Sequence, residues 1–215
     1  MKSLTKYLAS GALALALSTG AASAATLNGT FTINIYQTLL ATSAESDATV
    51  GNLRPLEFLE TITYIGDLAF ATFGNDTTTI GQWLATGTGT VTGLSLGTAG
   101  LQQSKANIND GTATTTFYDI VASFTSAFNS SIDHDDGISV FDDGNLIASS
   151  AAPTNVTTTA ANGFNGGTWR LIYAATNSDP SVLNVTTTPI PVPAAGFLLI
   201  GALGGLAFLR RRKTV

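Results

Sequence analysis

Apolar and polar residues alternate along much of the chain with a period of two, the spacing of strands that bury one face. Thr30-Phe31-Thr32-Ile33-Asn34-Ile35-Tyr36 is the clearest case. Residues 56–73 contain ITYI and LAFATF on either side of Gly66-Asp67, which predicts a hairpin. Further strand-like segments are 114–128 (TTTFYDIVASFTSAF), 138–141 (ISVF), 169–173 (WRLIY) and 182–185 (VLNV). Turn residues separate them at Asn75-Asp76, Asn109-Asp110-Gly111, Asp136-Gly137, Asp143-Gly144 and Asn165-Gly166-Gly167. Residues 84–104 are rich in Gly and Thr without a clear period, and fit a long loop or an irregular edge hairpin. Between 25 and 188 no long 3.6-residue repeat occurs. Many short strands with regular turns predict an all-β fold, a single antiparallel β-sandwich.

Two apolar runs stand outside this pattern, one at each end. At the amino end Lys2 and Lys6 precede an apolar run from Tyr7 to Leu17, and small residues follow at Ala22-Ser23-Ala24. That order is a secretory signal peptide, residues 1–24, with signal peptidase expected to cut after Ala24. At the carboxyl end Pro189, Pro191 and Pro193 impose an extended entry. Residues 194–209 are then uncharged and mostly apolar, about 24 Å of helix at 1.5 Å per residue. This is short of the roughly 30 Å hydrocarbon core, a mismatch that flanking cations relieve. Arg210, Arg211, Arg212 and Lys213 follow directly and place this end in the cytoplasm. The expected order is therefore signal helix, sandwich ectodomain (25–188) and a tail (189–215) with a transmembrane helix, the ectodomain lying outside the inner membrane.

The tail is more specific than an anchor. Ile190-Pro191-Val192-Pro193-Ala194, a glycine-bearing apolar helix and a terminal arginine cluster closely resemble the VPLPA-CTERM relative of the PEP-CTERM sorting signals. Ile and Val stand here where Val and Leu are commonest. The resemblance implies recognition by an exosortase-type membrane peptidase, which removes the anchor and releases or relocates the ectodomain to the cell surface or extracellular space.

Charge narrows the partners. Charged residues make up 11% of the chain, and mean hydropathy is +0.28. Between residues 25 and 189 three cations (Arg54, Lys105, Arg170) face fourteen acidic residues, a net −11. Nucleic acid is excluded, because neutralising phosphates takes clustered Lys and Arg. A hard cation such as Ca2+ is compatible. No cysteine is present, so disulfides and thiolate metal sites are excluded.

The densest acidic stretch is Asp133-His134-Asp135-Asp136-Gly137-Ile138-Ser139-Val140-Phe141-Asp142-Asp143-Gly144. Five carboxylates so close repel one another unless solvated or neutralised. The spacing is not that of an EF-hand loop: Gly144 stands at the twelfth position, where that loop needs glutamate. Two readings stand, a calcium site or two hairpin turns, Asp136-Gly137 and Asp143-Gly144, bracketing ISVF. His134 is expected in a turn, its pKa raised by the neighbouring carboxylates.

FNSSIDHDDG, then ISVFDDGNLI, then WRLIYAATNSDPSVLNV are similar to the Asp-Asp-Gly hairpin and late Arg-hydrophobic-x-Tyr strand of protective-antigen-type β-sandwich domains. Some members of that superfamily, the flocculin-type adhesins, bind sugar through calcium held by an adjacent aspartate pair and a later asparagine loop. The resemblance implies Asp135 and Asp136 as the pair, with Asn177 or Asp179 from the loop. A cis peptide between Asp135 and Asp136 is the geometric feature that bears most on this site.

Other candidates are weaker. Gly93-Leu94-Ser95-Leu96-Gly97 matches a nucleophile elbow, but His134, the chain's one histidine, lies only 39 positions beyond Ser95 in an acidic stretch. Glu57 and Glu60 could be imagined as a glycosidase pair and more simply mark a strand edge. Trp83 and Trp169 could stack on sugar or pack the core. The expected function is non-enzymatic: a surface or matrix protein, with calcium-assisted binding of an extracellular polysaccharide as the specific form. The alternatives are a structural matrix protein without a ligand and, third, a glycan-active enzyme.

Overall fold

The computed structural model describes residues 23–39, 42, 44–74, 78–94, 100–102, 114–176 and 179–190. Outside them lie most of the signal segment, including Lys2, Lys6 and Ala22, the turns at 75–76 and 109–111, Ser95 to Gly97, and Asn177. So do Pro191 to Ala194, the apolar run to 209 and Arg210 to Lys213.

Twelve strands form two antiparallel sheets among the described residues: β1 (Ala25–Thr26), β2 (Asn28–Thr38), β3 (Phe58–Asp67), β4 (Ala69–Thr72), β5 (Thr90–Thr92), β6 (Thr115–Phe124), β7 (Phe128–Asp135), β8 (Ile138–Asp142), β9 (Asn145–Ser150), β10 (Thr157–Phe164), β11 (Gly167–Ala175) and β12 (Ser181–Pro189). One short helix, α1 (Ile80–Leu84), starts on a capping box between Thr79 and Gln82. The larger sheet has the order β5-β3-β2-β6-β11-β8-β9. In the smaller, β1-β12-β7-β10 run side by side and β4 also pairs with β12. The all-β sandwich expected from the period-two pattern is present.

The alternation explains which faces meet. On β2, Phe31, Ile33 and Ile35 are fully buried while Thr30 and Thr32 face water. The central strands β6 and β11 are buried along most of their length because both their faces are covered. Tyr118, Ile120, Trp169, Leu171 and Tyr173 enter the main core. Phe117, Ile172 and Ala174 instead join a second cluster with Phe141 and Ala48, beneath the segment that follows β2.

Several local expectations change. No hairpin forms across Gly66-Asp67: β3 belongs to the larger sheet and β4 to the smaller. The chain crosses between layers at buried Leu68, whose N–H donates to the Leu27 carbonyl and whose carbonyl accepts from Val185 N–H, both at 2.9 Å. An apolar residue suits that position because it plugs the gap between sheets. Residues 114–128 likewise divide, into β6 and the start of β7, with the crossing at Thr125-Ser126-Ala127. Asp136-Gly137 carries the chain back from β7 in one sheet to β8 in the other, so it is not a hairpin turn. Asp143-Gly144 is one, a two-residue loop closing the Asp142–Asn145 pair with φ of 45° and 84°. Within the Gly/Thr-rich segment, Thr90–Thr92 forms the edge strand β5 against β3.

The two poles of the sandwich differ. β7 runs from Phe128 at one pole to Asp135 at the other, and β12 returns from Ser181, beside Asp135, to Pro189, opposite Phe128. β1 lies against the last part of β12, with Ala25 opposite Thr187. The chain therefore enters and leaves at the Phe128 pole, where Ile190 N–H donates to the Ala127 carbonyl. About 27 Å of β12, eight steps at 3.3–3.4 Å, separates that exit from the Asp135 pole. Among the described residues no helix is long and apolar enough to cross a membrane, and residues 194–209 lie outside them.

Candidate functional site

The stretch with five carboxylates does not stay together in space. Asp133 faces outward on β7 and accepts from Thr158 Oγ1 at 2.7 Å and Asn184 Nδ2 at 3.3 Å. Strand β8 then carries the chain some 13 Å toward the other pole. There Asp142 accepts from Asn165, and Asp143 Oδ1 accepts from Thr168 N–H at 2.7 Å. Asp135 and Asp136 remain at the end of β7, both buried, and the peptide that joins them is cis.

These two aspartates line an open cleft of about 450 Å3 together with Pro153, Thr154, Asn155, Asp179 and Pro180. Three connections converge on it: the β7–β8 crossing, the β9–β10 connection and the segment before β12. Asp179, implied as a loop contribution, is on the cleft wall, and its Oδ1 accepts from Thr72 Oγ1 at 2.8 Å. Asn177 lies outside the described residues. Pro153-Thr154-Asn155 was not singled out in the sequence. A proline and two turn-forming polar residues among small ones, just before β10, are the signal that marks it as a loop.

The backbone around the pair is held from below. Tyr173 Oη donates to the Asp135 carbonyl, and Trp83 Nε1 donates to the Ser181 carbonyl at 3.1 Å. The two rings stack at 5.4 Å. Asp136 Oδ2 accepts from Thr176 N–H at 2.7 Å, while the Thr176 and Thr115 hydroxyls bond at 2.9 Å. Gly137 is required by its neighbours: a Cβ there would lie 1.9 Å from the Ala151 carbonyl oxygen. That same oxygen accepts from Ala48 N–H at 2.8 Å, which fixes the β9–β10 connection against the crossing. Burial pushes the Tyr173 hydroxyl pKa well up, with Asp136 adding to it, so this donor stays protonated.

His134 differs from the expectation. Its side chain is fully buried, Nδ1 against the Asp136 carbonyl and Nε2 against Thr159 Oγ1 at 2.8 Å. Its pKa is lowered, because burial outweighs both the bond to Asp136 and the charge of Asp133. Both nitrogens being engaged, it offers nothing to a metal in the cleft.

The remaining candidates are structural. Trp83 and Trp169 are fully buried and unavailable for stacking on a sugar. Glu57 accepts from Thr38 Oγ1 and pairs with Arg54, while Glu60 is buried and accepts from Thr61 N–H at 2.8 Å. Neither lines the cleft. Gly93 and Leu94 follow edge strand β5 of an antiparallel sheet, and Ser95 to Gly97 lie outside the described residues.

As to a cation, the side chains lining the cleft offer oxygen, with no imidazole or thiol, the donor set of calcium or magnesium rather than zinc or copper. Among the described residues no group of three or more His, Cys, Asp or Glu is gathered closely enough to hold a metal. Backbone or amide oxygens would have to complete any shell.

No protein-family model and no curated sequence matches the chain. Solved structures do. A PA14 sugar-binding domain from an RTX adhesin superposes with a TM-score of 0.50 at 11% identity, over 75% of this chain and 91% of that one. The chain is similar in fold to a PA14 domain. The PA14 domain of the antifreeze protein MpAFP gives 0.48 at 13% identity, over 79% and 88%. A GH31 α-xylosidase from Xanthomonas citri gives 0.36 at 8% identity, over 80% of this chain and 16% of that one. At such identities the first likeness establishes the sandwich and leaves ligand and chemistry to the residues of this chain.

Proposed function

We propose that this chain is an exported surface or matrix protein whose sandwich binds carbohydrate, non-enzymatically, through a calcium ion at the Asp135–Asp136 cleft. The observation that carries the reading is that buried carboxylate pair, opening with Asp179 into one cleft. Two carboxylates one peptide apart repel strongly when buried, and a bound cation relieves both together. Asp135 and Asp136 would hold the ion, with backbone or amide oxygens, that of Asn177 among them, completing the shell; Asp179 lines the same cleft. When bound, calcium supplies a positive centre whose remaining coordination positions accept sugar hydroxyl oxygens. A sugar-binding PA14 domain from an adhesin shares the fold, which supports the class of ligand.

Export through the signal peptide and sorting through the Ile190–Ala194 tail complete the proposal. The partners during export are signal peptidase and an exosortase-type peptidase, with the membrane holding the tail before processing. Mass spectrometry of the exported species tests this part. A carboxyl end retaining Arg210 onward in cells with an active exosortase would contradict processing.

A structural matrix protein without a ligand is the competing reading. It is favoured by the absence of a ready-made metal cluster among the described residues. Binding to a panel of immobilised glycans, with calcium and with chelator, separates the two. Calcium-dependent retention that disappears in Asp135→Asn is expected; retention indifferent to calcium and to that substitution would overturn the site.

A further inference from the structure

Sugar sites commonly need an apolar plate beside their polar contacts, because a pyranose presents C–H faces as well as hydroxyls, and an aromatic ring covers such a face with little loss of rotamer freedom. Both tryptophans of this chain are spent in the core. Phe73 is different: it is 70% exposed, the one aromatic among the exposed large apolar side chains of the described residues.

A lone exposed apolar residue needs no explanation. Its place gives Phe73 one. Strand β4 pairs with β12 so that Thr72 stands opposite Ser181. Phe73 and Pro180, the latter lining the cleft, are the residues directly beyond that last pair. The Thr72 hydroxyl also donates to Asp179, another cleft residue, at 2.8 Å. Phe73 is not itself among the residues lining the cleft, and follows directly on a strand end tied to the cleft wall. Val156, 52% exposed, follows cleft residue Asn155 in the β9–β10 connection, so apolar surface adjoins a second cleft-lining segment.

The geometry points to Phe73 as a sugar-contacting residue, whose ring covers the apolar face of a pyranose held at the Asp135–Asp136 cleft. This rests on the carbohydrate-binding reading of that cleft. It commits the ligand to a pyranose with an uninterrupted C–H face, and makes Phe73 a determinant of affinity for sugar with no part in holding calcium.

The test uses the exported protein with polymer-linked glucose, galactose, mannose and fucose, and in parallel a calorimetric calcium titration. Phe73→Ala is expected to bind the preferred sugar about tenfold more weakly, while Phe73→Trp stays within about twofold of the parent. Both variants should keep the parent's calcium affinity and thermal midpoint. If Phe73→Ala binds like the parent while Asp135→Asn loses sugar, the inference falls and the site stands. If the parent shows no calcium-dependent retention on any of the four polymers, both fall. If Phe73→Ala weakens calcium and sugar equally, the residue supports the loop instead of touching sugar, and the inference is overturned.

Discussion

The two poles of the sandwich are built from the same kinds of strand and closed in opposite ways. At the pole where the chain enters and leaves, Phe124, Phe128, Phe164 and Trp169 meet edge to face or tilted, at 4.6–6.4 Å between centroids. Phenylalanines have no polar tip, and the Trp169 Nε1 is buried with no hydrogen-bond partner. At the other pole the stacked rings of Trp83 and Tyr173 each extend a donor to a backbone carbonyl beside the cleft. Thr38, Ser46, Thr115, Thr116, His134, Asp135, Asp136, Thr176 and Ser181 are all buried there. Burying that many polar groups costs stability unless each is hydrogen-bonded. Most of these buried polar side chains gather at one end. The closed pole holds the fold together, and the polar pole lies about 27 Å of strand away.

The largest effect is expected at the closed pole. Trp169→Ala should lower the unfolding free energy by about 3–5 kcal/mol in urea titration. Calcium affinity at temperatures where the variant remains folded should be unchanged. A large loss of calcium affinity there would show that the poles are not separate.

A smaller and sharper contrast comes from one glycine at each pole. Gly137→Ala drives a methyl into the Ala151 carbonyl, so about 2–3 kcal/mol of stability and the calcium response should both be lost. Gly144→Ala meets no atom within 4 Å, and its cost is the positive φ alone, about 1 kcal/mol, with calcium binding intact. Equal losses at the two sites would contradict the packing described for the β9–β10 connection.

The smallest effect concerns Glu45, in the segment that covers the outer face of the larger sheet. The Thr42 N–H, with Arg54 second, holds its carboxyl at about 2, well below the ordinary 4.5. A depressed carboxylate contributes stability that is present above its unfolded pKa and lost as pH falls from about 4.5 toward 2. Arg54→Ala should raise the Glu45 pKa, followed by NMR, only part of the way back, since the backbone bond remains.

Much of the closed pole was legible in the sequence. The alternation around Phe31, Ile33 and Ile35 gave a strand and its core face directly, because one buried face imposes a period of two, and the apolar run about Trp169 marked a central strand. Strands β9 and β10 left little trace: NLIASS and TTTAANGF lie on sheet edges, where few side chains enter the core. Crossings between the layers look like hairpin turns in sequence, since Gly66-Asp67 and Asp136-Gly137 carry the same residues as a tight turn. At the polar pole the aspartate pair was visible through its resemblance to a known hairpin. Thr154 and Asn155 were not, being ordinary turn residues, and Phe73 was hidden inside an apolar run that reads as core.

Calorimetric titration of calcium into the exported protein and its Asp135→Asn variant tests the central claim most directly. A saturable heat and a raised thermal midpoint at millimolar calcium are expected for the parent, and neither for the variant. No heat and no shift in the parent, or an identical response in both, would contradict a cation site at the polar pole.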